Sequence, residues 1–247
     1  MLFNSLQFAI FLPVVTLLYF LSPLRLRVPL LLVSSCVFYM AFIPKYILIL
    51  AFLILVDYTA GIVIEDAEGR RRHTFLIVSL CANIGILGFF KYFNFFNDNL
   101  AAAARALDWN YSIQHLRIIL PIGLSFHTFQ SMSYTIEVYR GNVPAERSLP
   151  HYALYVLFYP QLVAGPIERP QNLLHQFREH HRFCIANLCA GLKLMATGLF
   201  KKIVIADRAA LVVNTVYADP SQFSGAQLFV ATWLFAVQIY ADFAGYT

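Results

Sequence analysis

Apolar runs of span length recur along this chain with almost no charge inside them, and that pattern limits the fold more than any single motif. The runs occupy residues 6–21, 28–43, 46–64, 74–90, 118–138, 152–164, 188–206 and 226–243. A helix needs roughly 20 such residues to cross about 30 Å of hydrocarbon, and about six of the runs meet that length while two fall short. At 60% hydrophobic and 13% charged, with a mean hydropathy of +0.65, a chain of 247 residues has too few charged side chains to coat a globule. Soluble domains run near 45–50% and 25%. Lipid is the natural solvent for the excess, and the chain reads as an all-α, polytopic transmembrane protein. Run 152–164 is short and is followed by Gly165-Pro166. It predicts a half-helix or re-entrant segment packed against protein rather than lipid.

No basic residue precedes Arg25 and no small-residue cleavage site follows the first run, so 6–21 reads as a retained first span rather than a removable signal. Arg25 and Arg27 follow the first span and Arg70, Arg71 and Arg72 the third, whereas only Lys45 marks the turn between the second and third. The positive-inside rule then sets the N-terminus outside the cytoplasm. The expected organisation is a single membrane domain over 1–247, with peripheral spans at 1–90, a polar connection at 91–117 and a functional portion at 118–247. In that last portion, Pro, Gly and charged residues interrupt the runs. Internal repeats and low-complexity tails are absent from the sequence.

The net charge of +5 could point to nucleic acid. The basic residues, however, flank apolar spans and no base-stacking module accompanies them, so membrane lipids with anionic headgroups are the simpler partner. Cys36 and Cys81 lie inside apolar runs, and Cys184 and Cys189 lack the CxxC spacing of a redox or zinc pair. Ser125 in GLSFH lacks the second glycine of a G-x-S-x-G elbow. No histidine is followed five residues later by aspartate, and no phosphate-binding G-x-x-x-x-G-K-[ST] loop occurs. His175 and Glu179 have helical i, i+4 spacing, but the surrounding Arg178, His180, His181 and Arg182 mark a wet interfacial segment rather than a metal site.

What remains is a set of polar islands at membrane depth. LPIGLSFHTFQ (120–130) places a histidine, a glutamine and two hydroxyls in a run otherwise fit for lipid. An ionisable group there costs at least ~2.5 kcal/mol and usually faces a bundle interior or a wet cavity. With SYTIEVYRG (133–141), FYPQLVAGPIERP (158–170), GLFKKIVIAD (198–207) and QIYADFAGY (238–246), it forms a series of five blocks. In order and content the series resembles the membrane-bound O-acyltransferase family, in its bacterial branch of polysaccharide O-acetylation subunits.

The resemblance implies a multi-pass protein of the bacterial inner (cytoplasmic) membrane that transfers an acyl group, commonly acetyl, to hydroxyls of an exported cell-surface polysaccharide or of an intermediate acyltransferase. It implies no bound cofactor; a thioester such as acetyl-CoA or an acyl carrier is the donor substrate. A near-neutral histidine can take the proton of the attacking hydroxyl. The family carries that histidine in a W-H pair downstream of the block matched by QIYADFAGY. Here Trp109 and Trp233 are followed by Asn110 and Leu234. The chain therefore reads as the N-terminal half of such an enzyme, inactive alone, whose catalytic histidine lies beyond Thr247 and whose partner is a complementing C-terminal half.

Candidates for the tunnel or substrate path are His127, Gln130, Gly165, Pro166, Glu168, Arg169 and Asp242. His127 reads either as a polar wall or as a buried histidine bonded to a carbonyl or to Gln130, which lies three residues on and shares its helix face. The prolines of AGPIERP interrupt helical hydrogen bonding, which exposes backbone groups or makes a turn with a solvated Glu168/Arg169 pair. Asp242 would be costly if charged and unpaired, and either lines the path or ties to a neighbouring span. Asp57 reads as a helix-to-helix polar tie. Lys201 and Lys202 read as anchors to lipid headgroups or as an attraction for an anionic donor. A transporter built on broken helices and a non-catalytic scaffold are the alternatives.

Overall fold

In a computed structural model of the chain, residues 3, 5–107, 109, 123–162, 165 and 168–246 are described, and among them every regular element is helical. Pro44–Asp66, Gly69–Ala106 and Gly225–Tyr246 are long and apolar enough to cross a membrane. The chain is an all-α membrane protein. By Cα proximity it divides into two compact units, residues 1–163 with 167–180, and residues 164–166 with 181–247.

In the first unit, helix α1 (Leu6–Leu21) starts where the Ser5 hydroxyl accepts the Phe8 N–H at 3.2 Å, and α2 (Leu24–Met40) starts after Pro23. A 3-10 turn at Pro44–Tyr46 leads into α3 (Ile47–Asp66). Leu50, Leu53, Ile54, Asp57, Ala60, Gly61 and Ile64 are buried on α3 at helical spacing, while Leu48, Phe52 and Leu55 are exposed. This is the pattern of a span with one face in protein and the other in lipid. Helix α4 (Gly69–Ala106) is 38 residues long, roughly 57 Å at 1.5 Å per residue, well beyond the hydrocarbon thickness. The segment expected as a polar connection is thus helical from Lys91 to Ala106. Its asparagines end the apolar pattern, but the alanines at 101–104 favour helix strongly enough to carry it on.

Helix α5 (Leu124–Arg140) lies between two left-handed glycines, Gly123 and Gly141, both at φ +77°. At its C-terminus the Asn142 N–H returns to the Glu137 carbonyl and the Gly141 N–H to Val138, both at 3.0 Å, which closes the helix with αL geometry open to glycine. Helices α3, α4 and α5 pack on one another, and α2 packs on α6 (Leu149–Leu157). As run 152–164 predicts, α6 is short; it stops before Pro160, and a 3-10 turn at Tyr159–Gln161 follows. The fully buried Tyr134, Tyr152 and Tyr155 fill the space between α5 and α6, with the Tyr134 and Tyr152 ring centroids 4.5 Å apart. Gly61 admits this packing, since a Cβ there would come within 2.7 Å of the Tyr134 hydroxyl. A short α7 (Pro170–Leu173) and a 3-10 turn at His175–Arg178 complete the unit.

In the second unit, α8 (Ile185–Phe200) continues through a π-helical stretch, Lys201–Ala206, into α9 (Asp207–Ala218), and α10 (Gly225–Tyr246) packs against all three. Helices α8 and α10 meet backbone to backbone, for a Cβ on Gly198 would sit 2.5 Å from the Gly245 carbonyl oxygen, and one on Gly245 would sit 2.9 Å from that of Gly198. Small residues at crossings of this kind let membrane helices gain contact that apolar burial cannot supply in lipid. Gly198→Val is expected to cost about 2–3 kcal/mol by overpacking this crossing. Gly191→Ala, at a position on α8 where a Cβ meets nothing, should instead gain about 0.5–1 kcal/mol through helix propensity. Thermal unfolding of the two variants in detergent micelles checks the opposed signs.

Candidate functional site

One group of polar residues in the first unit gathers where α6 is interrupted. A helix that stops leaves its last carbonyls without intrahelical donors, and in apolar surroundings each must find another. The Tyr155 carbonyl receives two amides, Gln130 Nε2 from α5 and Gln161 Nε2 from the following turn, each at 2.8 Å. The Tyr155 hydroxyl donates to the Glu168 carbonyl at 2.9 Å, and the Ser35 hydroxyl of α2 accepts the Tyr159 N–H at 3.2 Å. The break is therefore re-paired from α2, α5 and the chain after α6. Gln161, which the sequence reading passed over, shares this task with Gln130; its place one residue after Pro160 was the available signal.

His127 lies one turn before Gln130 on α5 and is fully buried. Its ring stands edge-on to Tyr39 of α2, 6.1 Å between centroids, with the Val156 backbone beside it. Of the two expected partners, a carbonyl or Gln130, the Gln130 amide donates instead to the Tyr155 carbonyl, and the backbone nearest the ring is that of Val156. Among the described residues, both ring nitrogens of His127, the Thr128 hydroxyl and the Tyr39 hydroxyl are buried without a partner at hydrogen-bond geometry. Buried polar atoms are paired in the great majority of cases, so this cluster between α2, α5 and α6 is where a polar ligand or ordered water gains most.

The floor of the cluster is held by Gly123. A Cβ there would overlap the Leu162 carbonyl oxygen and approach His127 Nε2 to 3.4 Å. Glycine is thus required twice, by the positive φ and by the contact with the Leu162 backbone.

Toward the end of α5 the chain meets a charged network. Arg147 Nη2 binds Glu65 at 2.5 Å and Asp66 at 2.7 Å, and these two carboxylates, Asp66 foremost, hold the guanidinium protonated well above its ordinary range. The Glu146 N–H donates to the Tyr134 hydroxyl at 2.9 Å, and the Glu146 carboxylate accepts from the Ser148 N–H at 2.9 Å and from Arg178 at 2.6 Å. Single exposed ion pairs contribute little, but here they fasten residues 145–148 to the end of α3. Glu168 accepts from Asn172 at 3.3 Å and Arg169 caps α7 with an exposed side chain. His175 and Glu179 stand 3.7 Å apart on an exposed 3-10 turn and its flank. Gly165 is buried, and Pro166 lies outside the described residues.

In the second unit Asp242 of α10 pairs with Lys202 at 2.6 Å, and Lys202 also reaches Asp207 at 2.9 Å. Lys202 is thus turned inward between two carboxylates rather than outward to headgroups. The π-helical stretch that carries it shifts the side-chain register by one residue against α8, which aims Lys202 at α10. Lys201 instead lines a shallow groove of about 520 Å³ with Ile239, Tyr240, Phe243 and Ala244.

Replacing Gly123 by Ala should cost roughly 2–4 kcal/mol from backbone strain and overlap. Gln130→Ala and Gln161→Ala should each cost about 1 kcal/mol, while the double variant should lose more than the sum, since only then is the Tyr155 carbonyl left unpaired. A double-mutant cycle of thermal stability in micelles reads that excess.

No family model matches the chain. Its whole length does match curated proteins. A probable alginate O-acetylase of Pseudomonas aeruginosa is 36% identical over 251 aligned residues, which take in 100% of this chain and 48% of that protein. A probable alginate O-acetylase of Azotobacter vinelandii is 35% identical, with 100% and 50% covered. A peptidoglycan O-acetyltransferase of Helicobacter pylori is 32% identical over 279 residues, with 100% and 52% covered. The chain spans about half the length of the curated relatives it matches. With its polar blocks set in an all-helical membrane fold and its whole length aligned with about half of each of these O-acetylases, the chain resembles the N-terminal half of a membrane-bound O-acyltransferase.

Proposed function

We propose that this chain forms part of an enzyme that transfers acetyl groups to hydroxyls of an exported cell-surface polysaccharide. The observation that supports the reading is the match of the whole chain to about half of each of several relatives named as O-acetylases of alginate and an O-acetyltransferase of peptidoglycan. The protein works in the bacterial inner membrane, where a donor thioester from the cytoplasm meets an acceptor on the far side. In the transfer, the acceptor oxygen forms a bond to the acyl carbon, the hydroxyl proton passes to a base, and the donor sulfur leaves as a thiol.

Residues 1–247 supply walls for that path in this reading, not its base. The acid–base histidine comes from the W-H motif of a longer polypeptide or of a complementing chain. His127, Gln130, Thr128 and Tyr39 line a polar stretch of the path in the first unit; the Lys202–Asp242 pair is a polar feature of the second. Gly165, Pro166, Glu168 and Arg169 shape the connection after the broken helix. The acceptor is either the polymer itself or an intermediate acyltransferase that hands the acetyl group on.

The test is made in cells that lack their own polysaccharide O-acetylase. The complete coding region is expressed, the exported polymer is purified and the acetate released by mild alkali is quantified after labelling with ¹³C-acetate. Ester-linked label is expected in the polymer. Membrane-inserted protein with no label in any exported polysaccharide would sink the proposal. Gln130→Ala is expected to lower label about tenfold or less, the size of a positioning effect worth ~1.4 kcal/mol, and substitution of the W-H histidine to abolish it.

A further inference from the structure

Three spans of the first unit meet around a buried carboxylate. Asp57 of α3 is completely buried. Its Oδ1 accepts from the Ser79 hydroxyl of α4 at 2.7 Å, and both of its oxygens accept from Asn83 Nδ2 at 2.9 Å. Ser79 Oγ also lies 3.2 Å from Thr135 Oγ1 of α5, and the Ser131 hydroxyl faces the same carboxylate. Ser79, Asn83, Ser131 and Thr135 are all buried. Asp57 thus sits at the meeting of α3, α4 and α5 surrounded by neutral oxygen-bearing side chains, with no basic side chain paired with it among the described residues.

Among the described residues, two buried oxygens at this junction have no partner at hydrogen-bond geometry, Asn83 Oδ1 and the hydroxyl of Tyr152 on α6. The Tyr152 hydroxyl lies beside Ser131 and in the field of Asp57. The set is one carboxylate, one amide, three aliphatic hydroxyls and one phenol, all hard oxygen donors. Such donors suit alkali and alkaline-earth ions rather than zinc or copper. A single negative charge in an apolar interior is balanced by one positive charge, not two. A proton on Asp57 adds a single donor, enough for the Asn83 oxygen if that amide rotates, and the Tyr152 hydroxyl has its own proton to donate. A cation instead draws several oxygen lone pairs at once, and rotation of the Asn83 amide turns its oxygen toward the carboxylate.

We propose that Asp57, Ser79, Asn83, Ser131, Thr135 and Tyr152 form a binding site for a monovalent cation of sodium size at the junction of α3, α4, α5 and α6. The ion supplies the charge that Asp57 lacks and locks the three spans together. The site is separate from the acetyl-transfer reading and stands or falls without it.

The experiment is thermal unfolding of the purified full chain in detergent micelles at pH 7.5. It is run in NaCl, KCl and choline chloride at equal ionic strength. The site predicts a saturable rise in melting temperature of about 5 °C with NaCl, the scale of a ligand well above its Kd. KCl should act more weakly and choline not at all. Asp57→Asn, which keeps the size and most hydrogen bonds, should melt at one temperature in all three salts. Should that variant fail to fold, Ser79→Ala and Thr135→Val carry the test, with half-saturating Na⁺ raised at least about threefold, of the order expected for losing one neutral ligand. Equal melting of the unaltered protein in the three salts overturns the proposal, as does a Na⁺ response that survives Asp57→Asn or is unchanged in the Ser79 and Thr135 variants. Insensitivity to Na⁺ combined with a gain in stability from pH 8 to pH 5 identifies a protonated carboxyl instead, and overturns it too.

Discussion

The first unit depends on the repair of one carbonyl. Where α6 stops before Pro160, the Tyr155 oxygen has no donor of its own helix, and away from water such a group costs about 1–3 kcal/mol. Gln130 and Gln161 both donate to it. Because Gln130 belongs to α5, the same bond that makes the interruption tolerable also fixes the rotation of α5 against α6. His127, three residues earlier, is then held beside Tyr39 and Val156. Ser131, one residue later, is turned toward Asp57. The geometry of both polar clusters on α5 thus follows from how a broken helix satisfies its backbone.

Helices in lipid gain little from apolar burial against one another, so close packing and polar ties decide which faces meet. Both devices occur in each unit. In the first, Gly61 yields to the Tyr134 hydroxyl and Gly123 to the Leu162 carbonyl, while Asp57, Ser79 and Asn83 join α3 to α4. In the second, Gly198 and Gly245 bring α8 and α10 together and Lys202 joins Asp207 to Asp242. The glycine and the ionisable residue sit close in sequence in each case, four apart on α3 and three apart on α10, within a turn of one another. On α10 the backbone approach at Gly245 accompanies the reach of Lys202 to Asp242, whereas on α3 the glycine makes room for a tyrosine of α5 while the carboxylate ties to α4.

Hydropathy alone located the spans well, because length and composition are what lipid constrains. Run 6–21 coincides with α1, run 46–64 with α3 to within two residues, and run 226–243 with α10 to within three. The shortness of run 152–164 foretold a short α6, although the helix ends at Leu157, before Pro160, rather than at Gly165-Pro166. The extension of α4 to Ala106 was hidden, since asparagines end an apolar pattern without ending a helix, and local alanine propensity continued it. Asp57 was readable as a tie because a carboxylate inside an apolar run has few other uses. Its partners were not readable, as Ser79, Asn83 and Thr135 become neighbours only when α4 and α5 pack. The inward turn of Lys202 was hidden for a related reason: a π-helical stretch changes which face a residue occupies, and no composition signal announces it. Within the site, His127 and Gln130 stood out as costly residues, whereas the orphaned hydroxyls of Tyr39 and Thr128 took shape only with the fold.

A transferase that joins a donor on one side of a membrane to an acceptor on the other needs polar groups deep in apolar surroundings and a scaffold that does not spend them on itself. The two polar clusters of the first unit differ in this respect. Around Asp57 the donors Ser79 and Asn83 are committed to the carboxylate, so the cluster acts on the spans that carry it. Around His127 the ring nitrogens and the Thr128 and Tyr39 hydroxyls have no partner at hydrogen-bond geometry among the described residues, so their hydrogen-bonding capacity is not spent on tying spans together. The placement of Gln130 between them explains how both exist on one helix. By binding the Tyr155 carbonyl it removes from His127 the partner nearest in sequence, which leaves the histidine buried and positioned. Mechanistically that suits a wall residue better than a base: a ring held among apolar neighbours orients a polar group well but accepts a full charge poorly, so within the acyl-transfer reading the proton of the attacking hydroxyl goes to a histidine elsewhere.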